Sequence, residues 1–102
     1  MAMSRIVCVL LVLAIVTEAA RIDTFNNANC DDSPTNTFLV DGNTCQIFED
    51  QSAVLISEVS SDTRVSIHNQ QDCEQYSSVA QMYGRGCVVQ GATKLRAVWI
   101  QG

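Results

Sequence analysis

Apolar residues fall along this chain in two different patterns. From Ile6 to Val16 the apolar run is unbroken. Beyond residue 20 the apolar positions come in short clusters separated by Asn, Asp, Ser, Gly and the single proline, Pro34. Phe38-Leu39-Val40, Ile47-Phe48, Val65-x-Ile67 and Val88-Val89 are β-branched, aromatic or aliphatic, the residue types that fit a pleated surface. Arg64-Val65-Ser66-Ile67 alternates with period two, as a half-buried strand does. No 11-residue window past the first segment carries a helical stripe, although 74–82 has room for one helical turn.

The early apolar run has the make-up of a secretory signal. Arg5 gives a positive start, and Thr17-Glu18-Ala19-Ala20 supplies small residues for cleavage. A cut after Ala19 puts Thr17 and Ala19 at the two selective positions, so residues 1–19 are expected to leave and Ala20 to begin the mature chain. The run is far shorter than the roughly 20 residues that span a bilayer. The expected product is an extracellular protein with no membrane span and one domain, residues 20–102.

An internal repeat organises that domain. Arg21-Ile22 precedes Cys30 by the same nine and eight residues as Arg64-Val65 precedes Cys73. Asn26 and Asn69 each stand four residues before those cysteines, and an acid follows each one. Gly42 and Gly84 each precede the next cysteine, Cys45 or Cys87, by three. Both halves close on an apolar run, Ala53-Val54-Leu55-Ile56 and Ala97-Val98-Trp99-Ile100. The repeats are about 21–60 and 64–102. Each is expected to form four strands: about 21–25, 36–41, 45–49 and 53–59, then 64–68, 77–83, 86–90 and 95–101. Neither unit can bury its apolar face alone, which predicts an all-β sandwich. Gly42, Gly84, Gly86 and Gly91 are expected to supply positive φ at turns.

A domain this small buries only about 60–65% of its unfolded surface, so covalent staples are expected. Cys8 leaves with the signal. Cys30, Cys45, Cys73 and Cys87 remain, and four cysteines allow two disulfides in three connectivities. Zinc is a poor alternative, since there is no Cys-x-x-Cys and only one histidine. The net charge of −5 survives signal removal, because one base and one acid are lost together. It argues against nucleic acid and anionic membranes, which require a basic footprint.

The SIHNQQDC segment, the glycine before Cys87 and the terminal AVWIQG resemble the macadamia-type plant antimicrobial proteins. Phe25 and His68 stand where that family has an aromatic residue, five before the first cysteine of each repeat. The resemblance implies a βγ-crystallin-like sandwich of two Greek keys. It also implies the bridges Cys30–Cys87 and Cys45–Cys73; a third family bridge lacks both of its cysteines in this chain. The acidic charge departs from the basic antimicrobial members, so electrostatic attack on membranes does not carry over. Binding of a neutral wall polysaccharide does, because sugars are held by hydrogen bonds and aromatic stacking.

Among candidate sites, His68 with Ser66 two residues before it reads as structural, and Asp31-Asp32 and Glu49-Asp50 read as solvated turn formers. No enzyme activity, cofactor or metal is expected. Calcium is disfavoured because 49–53 and 92–95 lack the oxygen ligands of the crystallin pattern. The amide-rich loops holding Asn26, Asn27, Asn69 and Gln70 are candidate ligand contacts, since amides pair with sugar hydroxyls as donor and acceptor. Arg85 joins them as a contact candidate; with Lys94 and Arg96 it otherwise reads as dispersed charge. Trp99, in an apolar last strand, reads as core. The leading expectation is a monomeric antifungal defence protein that engages cell-wall β-glucan. The alternative is a non-toxic interaction module that binds another extracellular protein.

Overall fold

The computed structural model describes residues 19–102, so most of the segment read as a signal, 1–18, lies outside the described residues. Eight strands follow in order: β1 Ala20–Phe25, β2 Asn36–Val40, β3 Thr44–Gln51, β4 Ala53–Ser57, β5 Arg64–His68, β6 Ser78–Tyr83, β7 Gly86–Val89 and β8 Leu95–Ile100. The expected helical turn is a single 3-10 turn at Gln75–Ser77, between β5 and β6. Among the described residues no helix is long and apolar enough to cross a membrane.

The strands form two four-stranded antiparallel sheets. Their orders are β2-β1-β4-β7 and β3-β8-β5-β6. Three strands of each half stay together, while the third strand crosses: β3 joins β8, and β7 joins β4. Exchanging each strand for its counterpart four places on turns one sheet order into the other.

Period-two alternation puts one set of side chains between the sheets. Ile22, Val54, Ile56, Val65, Ile67, Val98 and Ile100 are all fully buried there, with Phe48 and Leu95 completing the core. The intervening residues, Arg21 and Asp23 on β1 and Arg64, Ser66 and His68 on β5, face away from it. Phe38 packs on Phe48 with the rings nearly parallel, 6.2 Å between centroids.

Cys30 is bonded to Cys87 and Cys45 to Cys73. The first bond ties the β1–β2 loop to β7, and the second ties the β5–β6 connection to β3. Both therefore join the two halves.

Only one of the four glycines expected at positive φ has it. Gly84 sits at φ +75°, whereas the left-handed sites elsewhere are taken by Asn43 and Glu58. Gly42 is small for a different reason: a Cβ there would meet Gly102 Cα at 2.5 Å. At Gly86 a Cβ would meet Met82 Cε at 2.8 Å, and at Gly91 it would meet nothing.

Candidate ligand-binding groove

The outer face of the β3-β8-β5-β6 sheet carries a concave surface. Registered pairs run straight across it: Cys45 opposite Trp99, Trp99 opposite Ser66, and Ser66 opposite Gln81. One row along, Arg64 lies opposite Tyr83. The Cys45–Cys73 bond holds the β5–β6 connection against one end of this face. The result is an open groove of about 300 Å³ lined by Ser66, Trp99, Arg64, Gln81, Gln75 and Ser78. It adjoins a second depression of about 450 Å³, where Arg64 and Tyr83 meet Asp62 and Gln101.

Trp99 was expected in the core; it lies instead on the outer face, half-buried. The apolar run hides the alternation. Val98 and Ile100 point inward and are fully buried, so Trp99 between them must point out. Tyr83 is 68% exposed on the same face. Two aromatic rings, two amides, an arginine and hydroxyls thus line one strip, a composition suited to an uncharged polar polymer such as a polysaccharide.

Below this strip runs a chain of hydrogen bonds. Ser66 Oγ lies 2.8 Å from His68 Nε2, and His68 Nδ1 lies 2.9 Å from Ser77 Oγ. Ser77 Oγ is 2.7 Å from Asp72 Oδ1 and 3.0 Å from the Glu74 carbonyl. Asp72 also accepts from Tyr76 Oη at 2.7 Å. These hydroxyls, chiefly that of Tyr76 and then that of Ser77, hold the Asp72 carboxyl below its ordinary range. Burial pushes His68 below its ordinary 6.5, against smaller opposing effects from the Glu74 backbone and the Asp72 charge. His68 is 2% exposed and ties the β5–β6 connection to the sheet through Ser77.

The amide loops lie elsewhere. Asn26 accepts from Gln51 Nε2 at 3.3 Å, and its carbonyl accepts from Ser52 Oγ at 2.9 Å. Asn27 donates to Asp32. Asn69 donates to Thr93 Oγ1 at 3.1 Å. Lys94 reaches Ser52 Oγ at 3.0 Å, so both loops converge on the β7–β8 loop at one end of the sandwich. Gln70 is exposed beside Asn69. Arg85 sits in the β6–β7 turn at the opposite end, so the five contact candidates do not form one surface. Arg96 is taken by Asp50 at 2.6 Å and donates to the Asn69 carbonyl, which disperses the basic cluster. Among the described residues no three His, Cys, Asp or Glu side chains stand together as a metal site.

A further cleft of about 500 Å³ opens where the edge strands β6 and β7 face each other, with Val79, Val88, Val89 and Ala92 on its walls. A small, doubly bridged, two-sheet β protein with a polar aromatic groove is the class that these features define, and the two disulfides are consistent with an extracellular protein. No protein-family model, curated protein or solved structure matches the chain.

Proposed function

We propose that this is a secreted defence protein, built as two Greek keys of βγ-crystallin type, that inhibits fungi by holding a cell-wall polysaccharide such as β-glucan in the Trp99 groove. The observation that carries this reading is the row Trp99–Ser66–Gln81 with Tyr83 beside it, an aromatic and amide strip on an outer sheet face. An aromatic ring gives the apolar face of a sugar a flat surface, while amides and hydroxyls meet its hydroxyls as donors and acceptors. The crossed strand orders and the signal-like start support the wider family reading.

The test pairs two measurements on the oxidised mature protein: inhibition of a filamentous fungus and retention on insoluble β-glucan. Retention that disappears in Trp99→Ala supports the reading. Retention equal in the variant and the parent sinks the groove, and absence of inhibition over a wide concentration range sinks the defence role. The cleft between β6 and β7 favours a second reading, an extracellular interaction module, because Val79 and Val89 remain 48% and 45% exposed there. Recovery of one stoichiometric protein partner, lost in Val89→Asp, would move that reading ahead.

A further inference from the structure

The hydrogen-bond chain beneath the groove has a direction. Ser77 carries one hydroxyl proton and has two acceptors near it. The ionised Asp72 is closer and charged, so it takes that proton. Ser77 Oγ must then accept from His68, which places the ring proton on Nδ1. His68 Nε2 is left as an acceptor, and the group facing it is the Ser66 hydroxyl. Ser66 therefore donates to an imidazole whose orientation is fixed by a carboxylate through one intervening hydroxyl. That is the arrangement by which a weak oxygen nucleophile is activated.

We propose that Ser66 is a nucleophile served by His68 as general base, and that this site cleaves ester substituents on a polysaccharide lying in the groove. The substrate class rests on the sugar-binding reading of that groove; the nucleophile does not. Ser66 Oγ bonds to the acyl carbon while its proton passes to His68 Nε2. The ester C–O bond breaks, and the departing sugar oxygen takes that proton to leave as a hydroxyl. Water then attacks the acyl-serine, giving its proton to His68 Nε2. Release of the carboxylic acid returns the proton to Ser66 Oγ. The Gln81 amide and the Arg64 guanidinium line the same groove and are the donors at hand for the negative charge that develops on the acyl oxygen. Arg64 has no carboxylate within ion-pair distance among the described residues, so its charge is not already neutralised by an acid. Ser77 and Asp72 are positioning residues.

The experiment treats the oxidised mature protein with a fluorophosphonate and reads intact mass and the modified peptide. One phosphonyl group on Ser66, absent from Ser66→Ala, is the expected result. No adduct, or an adduct unchanged in Ser66→Ala, overturns the nucleophile. Hydrolysis of p-nitrophenyl acetate should fall about 100-fold or more in Ser66→Ala, the usual scale of such assistance. Asp72→Asn keeps the serine and tests the positioning. Asp72 is the charged group facing His68, while β6 and β8 set Ser78 and Ala97 opposite it. Loss of that anion should shift the acid limb of the rate profile to lower pH; an unmoved limb overturns the assigned role. Acetate release from acetylated xylan tests the substrate class by itself. Labelled Ser66 without acetate release overturns the polysaccharide ester and leaves the nucleophile standing. Labelled Ser66 in a protein that β-glucan does not retain separates this proposal from the binding function.

Discussion

Asp23 and Ser66 hold the same position on the two outer sheet faces and treat the arginine two residues earlier in opposite ways. Asp23 lies 3.2 Å from Arg21 Nε, accepts from Thr37 Oγ1 at 2.5 Å and is 4% exposed. Ser66 turns to His68 and leaves Arg64 free of any carboxylate partner among the described residues. One face carries an ion pair at the point where the other opens into a groove.

That difference predicts a loss of stability without a loss of function. Asp23→Ala removes the acceptor of two donors and should lower stability by about 1–3 kcal/mol. A urea midpoint measures it. Retention on β-glucan, scaled to folded protein, should be unchanged, because the groove lies on the other sheet.

Trp99 and Leu55 offer a matched pair. Each is the residue that β8 or β4 registers against the central position of its neighbour, Ser66 or Asp23. Trp99→Ala should weaken polysaccharide binding at least about tenfold, since aromatic anchors dominate such surfaces. Leu55→Ala should leave binding intact. Equal losses in the two variants would point to a general loosening of the sandwich.

The two disulfides should separate in the same manner. Closing loops of 57 and 28 residues' separation contributes about 4 kcal/mol each at most on the chain-entropy model. Only Cys45–Cys73 anchors the connection that walls the groove. Replacing both of its cysteines by Ser should therefore lower glucan affinity as well as the urea midpoint. Replacing Cys30 and Cys87 should lower the midpoint alone.

How much of this was legible follows from what local sequence can encode. Val65 and Ile67 announced their strand by alternation, and both are fully buried. The eight expected strands end within two residues of those observed, because turn residues punctuate them. The crossing of β3 and β7 between sheets was not readable from alternation, since pairing between distant segments leaves no mark on either alone. Trp99 was misplaced for a related reason: an unbroken apolar run cannot state which of its residues face out. The site was half-visible. Ser66 and His68 are neighbours at strand period, but Ser77 and Asp72 reach them only because a disulfide folds the connection back over the sheet.

Gly84 and Gly91 should respond oppositely to alanine. Gly84 has φ +75°, and an added Cβ would stand 3.1 Å from Ser61 Cα. Gly84→Ala should cost more than about 1 kcal/mol, and the β6–β7 turn should be its focus. Gly91 has open space and no positive φ. Gly91→Ala should be neutral or stabilise by up to about 1 kcal/mol, through a less flexible unfolded chain. Thermal midpoints of the two variants check both signs.

His68 makes stability fall on acidification before the carboxylates do. Its folded-state pKa is depressed by burial, so the unfolded chain takes up the proton first as pH drops. The stability that depends on the neutral ring is complete above about pH 6.5 and is lost as pH falls from there through the lower, folded-state value. Asp32, Asp50, Asp62 and Asp72 also have depressed values, held down chiefly by Asn27, Arg96, Ser60 and Tyr76 respectively. Their contributions are complete above their ordinary 3.8 and are lost only below it. Urea midpoints between pH 8 and pH 3 should therefore decline in two steps. His68→Gln should remove the upper step and spare the lower one, even if the variant is less stable throughout. An upper step that survives in His68→Gln would show that another group takes up that proton, and the neutral, Nδ1-protonated ring assigned to His68 would have to be abandoned.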